Sequence, residues 1–397
     1  MAEINKYNAG NDSSHGENLY TLYYDKAGIK AANRKNLYGQ FASKKEMPTK
    51  LGKTYAISRW LRSYDRPLTD PEFNKKGFIS SRDIADVTAG FTSAKLEEGA
   101  KEKDSLKITK INLKTTLNRY GEELDYTDEV EIFSNDDVQV RYREDLGERA
   151  NSLFEDLVQF DMLSTNNVIY SGAGTSLATM GQGITADGTL DDNYRISYDY
   201  LRRCVQKLVR NRASKNVEMV TGDTKPCSKP VPAAYYAIIG PEIKFDLTEV
   251  TRGEKFYEKF TFVPAYKYAS GKTLAEGEIG MLGEVCFIES AEQLVYEKAG
   301  VDVPTGYVGD LSYTGEIGNG AKFDVFPILF PTKDSFATVG LKGHGKVVFN
   351  AQAPSQVDSG NRFGTRGWFT YNMWYAGIIL QEEKLLKGLV LATGTQG

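Results

Sequence analysis

The feature that most constrains this chain is a helical repeat of apolar residues between positions 138 and 160. Val138, Tyr142, Leu146, Ala150, Leu153, Phe154, Leu157 and Phe160 recur at three- and four-residue spacing, which gathers them on one side of a helix. Just ahead lies SNDD (134–137), with a side chain able to cap a helix and acids suited to its first turn. A helix running from about Asp137 to the turn at Ser171 and Gly172 would reach about 50 Å at 1.5 Å per residue. That is longer than a compact domain of this size requires. The segment reads as a structural spine.

Two strand patterns precede it. In KTYAISRWLRS (53–63), Tyr55, Ile57, Arg59 and Leu61 alternate with the opposite face, the period of a strand. LKITKINLKTTLNRY (106–120) alternates through Leu106 and Ile108, then Ile111 and Leu113, with a phase slip near Lys110 that a bulge would absorb. Between them come Pro67, Pro71, a turn at Gly77 and the charged run KLEEGAKEKDS (95–105). Charges of both signs resist burial without partners, so the excursion is expected to be an ordered, projecting hairpin. Further upstream, Lys26, Lys30, Arg34, Lys35, Lys44, Lys45, Lys50, Lys53, Arg59 and Arg62 are met by one acid, Glu46, between 26 and 62. This stretch reads either as an arm reaching over a neighbour or an acidic surface, or as a solvated helix face.

After the repeat, the Gly-rich, polar segment 172–192 marks a crossing into a second domain. There YDYLRRCVQKLVRNR (198–212) forms an amphipathic helix with Leu201, Cys204, Val205 and Leu208 on one face, and Arg202, Arg203, Arg210 and Arg212 mostly off it. AAYYAIIGPE (233–242) reads as a strand ending at a Gly-Pro turn, and EVCFIES (284–290) as another strand. Helices and strands thus mix in that region, and the chain is expected to be α+β. KVVFN (346–350), GWFTYNMWYAGIIL (367–380) and KLLKGLVLAT (384–393) are β-branched and aromatic runs. They are expected to complete the sheet of the spine domain.

The chemistry that would mark an enzyme is not legible. Of the two histidines, His15 sits in a polar leader and His344 in KGHGK, with no GxSxG or HExxH string nearby. GLKGHGKV (340–347) has the glycine and lysine spacing of a phosphate loop, yet Val347 stands where a magnesium-binding hydroxyl belongs. KYASGKT (267–273) lacks the leading glycine and so the spare backbone donors a phosphate needs. Asp136–Asp137 and Asp191–Asp192 read as capping and solvated pairs. Cys204, Cys227 and Cys286 form no CxxC pair and suit buried thiols in a reducing compartment. No catalytic, cofactor-binding or metal residue is assigned, and no cofactor is expected. With 49 Lys and Arg against 53 Asp and Glu, the formal charge is -4, so any contact with nucleic acid is expected to be local and weak. The opening residues lack an apolar signal core, and no run reaches the roughly 20 apolar residues of a membrane span.

A basic arm, a long charged hairpin, a spine helix, a mixed domain and terminal strands, in that order, resemble the major capsid proteins of tailed bacteriophages with the Hong Kong 97-type fold. At residue level the chain is similar to the major capsid proteins of the N-four-like podoviruses, the Schitoviridae. The resemblance rests on FISSRDIADVTAGF, on KLEEGA followed by LNRYGEELDYTDEV, and on FDMLSTNNVIYSG, LRRCVQKLVRNRA, YYAIIGPE and GEIGMLGEVCFIES. It covers nearly the whole chain through the order and spacing of these strings.

The resemblance implies an N-terminal arm over 1–52, an extended loop hairpin over 53–119, and a peripheral domain with the spine over 120–195. An axial domain over 196–335 follows, and terminal strands over 336–397 return to the peripheral domain. GVDVPTGYVGDLSYTGEIGNG (300–320) becomes a candidate tip of the axial domain. The implied function is a major capsid protein that self-assembles as hexamers and pentamers into an icosahedral shell around packaged double-stranded DNA. Its place would be the virion capsid, after assembly in the host bacterial cytoplasm. Implied partners are other copies of the chain and the portal and scaffolding proteins, with a decoration protein as a further candidate and weak non-specific contact with DNA, but no membrane. In such a subunit Lys95, Glu97, Glu98, Lys101, Glu102, Lys103 and Asp104 are candidates for inter-subunit contact through opposite-charge pairing. Lys26, Lys30, Arg34, Lys35, Lys44 and Lys45 are the candidate contacts of the arm. The rival readings are a tail or decoration protein and, from another class, a nucleotide-binding enzyme using residues 340–347.

Overall fold

The computed structural model describes residues 37–61, 110–133, 138–216, 233–249, 263–265, 275–343, 347–357 and 360–394. Between 84 and 108 it describes 84, 88, 91, 92, 94–96, 98, 99 and 108. The first strands are β1 (Ser43–Met47), β2 (Thr54–Trp60) and β3 (Lys110–Thr116), followed at once by β4 (Asn118–Thr127). A short helix α1 (Asp128–Phe133) leads to the spine, α2 (Val138–Leu163), and then to β5 (Val168–Tyr170). The middle of the chain alternates: α3 (Tyr198–Arg210), β6 (Tyr235–Ile239), α4 (Pro241–Glu249), β7 (Val263–Pro264), β8 (Glu278–Leu282) and β9 (Val285–Glu289). Strands then dominate, with β10 (Tyr313–Glu316), β11 (Asn319–Phe323), β12 (Phe326–Phe330), β13 (Phe336–Leu341), β14 (Val348–Gln352), β15 (Arg366–Ile379) and β16 (Leu386–Val390).

Two sheets carry the architecture. In the five-stranded sheet, β15 is central: it pairs antiparallel with β4 on one side and with β14 and β13 on the other, while β1 adds parallel to β13. Strict alternation along β15 buries Phe369, Tyr371, Met373 and Tyr375 on one face and leaves Trp368, Thr370, Asn372 and Trp374 half exposed on the other. The buried face receives α2, whose Leu146 and Ala150 pack with Tyr126, Phe369 and Tyr371. Beyond Tyr375 the other face is covered as well. There Ala376 and Ile378 join Met47, Leu117, Ala337 and Val339, and the inward residues Tyr55, Ile57 and Leu113 of the β2–β3 hairpin pack onto them.

The seven-stranded sheet runs β5-β16-β12-β6-β9-β8-β7. Its central strands β6, β12 and β16 are buried at every position, as a sheet covered on both faces demands. Leu201, Cys204 and Leu208 of α3 and Ile243 and Leu247 of α4 cover one face. Val158, Met162 and Leu163, at the end of α2, pack into the cluster on the other.

The spine is shorter than the sequence suggests. It holds 26 residues, about 39 Å, and stops at Leu163. The Ser164 hydroxyl donates to the Asp161 carbonyl at 2.6 Å and that of Thr165 to the Leu385 carbonyl at 3.2 Å. The β-branched and aromatic run after them, Val168–Tyr170, pairs parallel with β16. The buried stripe is also rotated from the expected one. Val158 and Met162 are fully buried while Phe160 is 67% exposed, because the end of the helix turns toward the second sheet as well as toward β15.

Three further expectations change. The strand expected to end at a Gly-Pro turn does end there, at Ile239, but Pro241 opens α4, where its missing N–H has no intrahelical acceptor to lose and its φ suits the helix. The phase slip near Lys110 produces no bulge among the described residues, since β2 and β3 pair in unbroken register from Thr54↔Thr116 to Trp60↔Lys110. The break falls at Leu117, where the chain steps onto β15 as β4. Finally, β14 and β15 do join the sheet that packs on the spine, but β16 lies between β5 and β12 in the other. The amphipathic helix, the β6 and β9 strands and the buried thiols Cys204 and Cys286 lie where the pattern put them; Cys227 lies outside the described residues.

Candidate assembly interface

The β2–β3 hairpin is fastened to the body through its inward face. Arg59 directs its guanidinium onto Glu383, with Nη1 donating to Oε2 at 2.9 Å and Nη2 closing the fork onto Oε1. Glu383 is buried and Arg59 largely so. The Glu383 carbonyl accepts from Asn167 Nδ2 at 2.9 Å and from Asn211 Nδ2 at 2.8 Å. One residue therefore joins the hairpin to the exit of the spine and to the end of α3. On the neighbouring strand the Thr115 hydroxyl donates to the Gly377 carbonyl of β15 at 2.9 Å. The sequence held a signal for this anchor: Arg59 falls on the inward phase of β2 with Tyr55 and Ile57, and a charge in that phase calls for a buried partner.

The outward face carries Thr54, Ala56, Ser58 and Trp60 opposite Thr116, Lys114, Asn112 and Lys110. It is basic and presents one large aromatic ring. Trp60 is 64% exposed, with the Lys110 ammonium 5.3 Å from the ring centroid.

The spine is tied at three levels. At its middle the Arg149 guanidinium donates to both Glu122 oxygens at 2.8 and 3.2 Å, which holds the Glu122 carboxyl below its ordinary range. Burial, with Glu122 nearby, pushes the Tyr371 hydroxyl up to about 12. Lower down, the Glu155 carboxylate accepts from the Tyr38 and Gly39 amides at 2.8 and 3.3 Å. Gln159 accepts from the Tyr38 hydroxyl at 2.9 Å and the Leu294 amide at 2.7 Å, so the segment entering β1 is seated against the helix. At the end, the Tyr375 hydroxyl donates to Asp161 Oδ2 at 2.8 Å; desolvation holds Asp161 above the usual aspartate value. Lys387 of β16 then donates to the Leu163 carbonyl at 2.7 Å, satisfying one orphan acceptor of the helix terminus. Burial pulls the Lys387 ammonium below its ordinary value.

Residues 300–320 are anchored at their N-terminal half, while 315–320 are largely exposed. Val303, Tyr307 and Leu311 are buried with Met180, Ile184, Tyr194 and Phe323. The Tyr307 hydroxyl donates to Asp191 Oδ2 at 2.6 Å and accepts from the Leu311 amide at 3.2 Å. Asp191 is thus a buried hydrogen-bonded group, not the solvated member of an acidic pair, while exposed Asp192 meets Arg195 at 3.0 Å.

Of the contact candidates, Lys44 and Lys45 stand exposed on β1, paired to Thr338 and Val339 of β13. Lys95 and Glu98 are exposed, and the Lys95 amide donates to the Phe91 carbonyl at 2.9 Å. Lys26, Lys30, Arg34, Lys35, Glu97, Lys101, Glu102, Lys103 and Asp104 lie outside the described residues, as do His15, His344, residues 267–273 and the Asp136–Asp137 pair. In the phosphate-like string, Gly340 and Leu341 pair with Glu46 and Met47 of β1 and the Lys342 amide donates to the Met47 carbonyl. The backbone of its first three residues is thus engaged with β1, where a phosphate loop needs open donors, and residues 344–346 lie outside the described residues. Among the described residues no group of three or more His, Cys, Asp or Glu side chains could hold a metal ion, and no helix is long and apolar enough to cross a membrane.

Solved phage capsids share this fold. The capsid of Ralstonia phage GP4 matches at a TM-score of 0.55 and 10% identity, covering 98% of this chain and 100% of that one. The capsid of cyanophage Pam1 matches at 0.50 and 11% identity, covering 99% and 100%. The mixed α+β fold is that of phage capsid proteins. No family model matches the chain. Over 397 residues it is 25% identical to the major capsid protein of Pseudomonas phage KPP21, covering 95% of each. Major capsid protein is the function these findings give it, and the virion capsid is its place.

Proposed function

We propose that the chain closes an icosahedral shell around packaged double-stranded DNA as hexamers and pentamers of one subunit, in the Hong Kong 97-type arrangement and close to the N-four-like podoviruses. The observation that carries this reading is the alignment over 95% of both chains with a phage major capsid protein. It is supported by the hairpin, which holds a basic, Trp-bearing face outward while Arg59 and Thr115 hold its other face to the body. Self-association replaces catalysis in this reading, so the chain is no enzyme and needs no cofactor. Residues 1–52 serve as the arm, 53–119 as the extended loop, 120–195 with 336–397 as the peripheral domain, and 196–335 as the axial domain. The charged run from Lys95 to Asp104 sets register between neighbours through opposite-charge pairs, with apolar anchors supplying most of the affinity. Portal, scaffolding and decoration proteins are its further partners, and Lys44 and Lys45, with the basic residues upstream, supply weak contact with DNA or scaffold.

Electron microscopy of the concentrated full chain, alone and co-expressed with its neighbouring virion proteins, tests the reading. Closed particles with hexameric and pentameric capsomers are expected. Rings, fibres or isolated trimers would turn it toward a tail or decoration protein.

A further inference from the structure

A shell of identical chains needs surfaces that recognise their own copies, and the free strand edges are places where backbone groups remain to be paired. Most of the edges are blunted. β1 carries Lys44, Lys45 and Glu46; β4 carries Arg119, Glu122, Glu123 and Asp125; β2 carries Arg59. β7 is two residues long and ends in Pro264. β5 has neither charge nor proline, but Lys207 donates to its Val168 carbonyl at 3.1 Å and the Tyr200 hydroxyl to its Ile169 carbonyl at 3.0 Å.

β14 is different. Among the described residues it pairs with β15 alone, and none of them lies on its other edge as a partner strand. Its sequence, Val348-Phe349-Asn350-Ala351-Gln352, holds no charge and no proline, and Phe349, Asn350 and Ala351 are all exposed. The loop that follows adds two more apolar side chains, Val357 at 68% and Phe363 at 91% exposure. That loop is held in shape: Asn361 accepts from the Thr365 and Arg366 amides at 3.1 and 3.3 Å and donates to the Arg366 carbonyl at 2.7 Å.

We propose that β14 is a docking edge for β14 of a second copy, the two strands pairing antiparallel about a two-fold axis at Asn350 and joining two five-stranded sheets into one. The sequence of the strand is complementary to itself in this register. Asn350 meets Asn350, whose amides can donate and accept reciprocally; Phe349 meets Ala351, large against small; Val348 meets Gln352. A two-fold contact requires that each residue find its mate in this reciprocal way. Because the strand is neutral, two copies approach without like charges facing across the pair. The inference rests on the shell-forming role and names one of the contacts that role requires.

Asn350→Cys in the full chain tests it. The two cysteines would sit across the axis at cross-strand spacing, close enough for a disulfide. Under mild oxidation the variant is expected to form a covalent dimer that the wild-type chain lacks. Phe349→Lys added to it is expected to lower the cross-linked fraction about tenfold by placing an ammonium on the edge, with the far-ultraviolet circular dichroism of the monomer unchanged. Closed particles without the cross-link would overturn the edge contact and leave the capsid reading standing. If no closed particles form, the capsid reading fails by itself, and the cross-link is read on the soluble chain: a dimer sustains the β14 contact, and its absence overturns it.

Discussion

Arg59 and Glu383 are 324 positions apart in the chain, yet the guanidinium of one closes on the buried carboxylate of the other. The pair fastens a hairpin strand to the turn that leads into the last strand of the second sheet. Removing one partner leaves the other desolvated and uncompensated. Arg59→Ala is therefore expected to lower stability by about 2–4 kcal/mol, toward the lower end of what buried pairs show because Arg59 retains some water. Arg59→Lys should recover only part of this, since an ammonium cannot fork onto both oxygens. Urea unfolding of the unassembled chain, completed with Glu383→Gln as a double-mutant cycle, measures the coupling.

The rotated stripe of the spine gives a paired test. Met162 is fully buried and Phe160 largely exposed, although the two are neighbours in sequence. Met162→Ala should cost about 2–5 kcal/mol through lost contacts and a cavity. Phe160→Ser should change the stability of the isolated chain by no more than about 0.5 kcal/mol. Thermal unfolding of both variants decides; a larger loss from Phe160→Ser than from Met162→Ala would mean that the helix faces the other way.

Asp161 makes stability depend on pH in a defined direction. Burial raises its carboxyl above the ordinary value, against the Tyr375 hydroxyl bond that lowers it. The native state then holds the proton more tightly than the unfolded chain does. Between the unfolded value, about 3.9, and the raised native one, stability falls as pH rises. Wild type is expected to gain on Asp161→Asn as the solution is acidified from neutrality through the raised value. Denaturant midpoints of the two proteins at several pH values, compared as differences so that other groups cancel, provide the measurement.

Reversal of charge in the long loop tests register. Glu97→Lys with Glu98→Lys is expected to lower the yield of closed particles while the monomer keeps its far-ultraviolet circular dichroism and melting temperature. Unchanged particle yield would remove this segment from the contacts between subunits.

Elements ruled by a local period were the legible ones. The β-branched and aromatic run of β15 announces a strand, and the apolar face of α3 announces a helix with one buried side. The end of the spine was not legible, because Val168, Ile169 and Tyr170 continue an apolar run that a helix could use, and only their pairing with β16 makes them a strand. The placing of Phe160 failed for a related reason. Spacing alone selects one stripe, whereas the end of α2 is covered by two sheets whose combined footprint lies elsewhere. Likewise β16 resembles β14 and β15 in composition, and its departure to the second sheet depends on partners far away in the chain. For the interface, inward Arg59 was a visible anomaly, but nothing local pointed to Glu383 as its mate.

The central strand β15 pairs with β4 at ten consecutive positions, from Arg366↔Thr127 to Tyr375↔Asn118. Force applied along such a strand strains all of these bonds together, in shear, so the ladder must yield as a whole. Force applied across it would peel the bonds one after another, each alone. A subunit set so that outward pressure pulls along β15 would resist rupture with its full ladder, whereas the five-residue β14 beside it would be the first to slip.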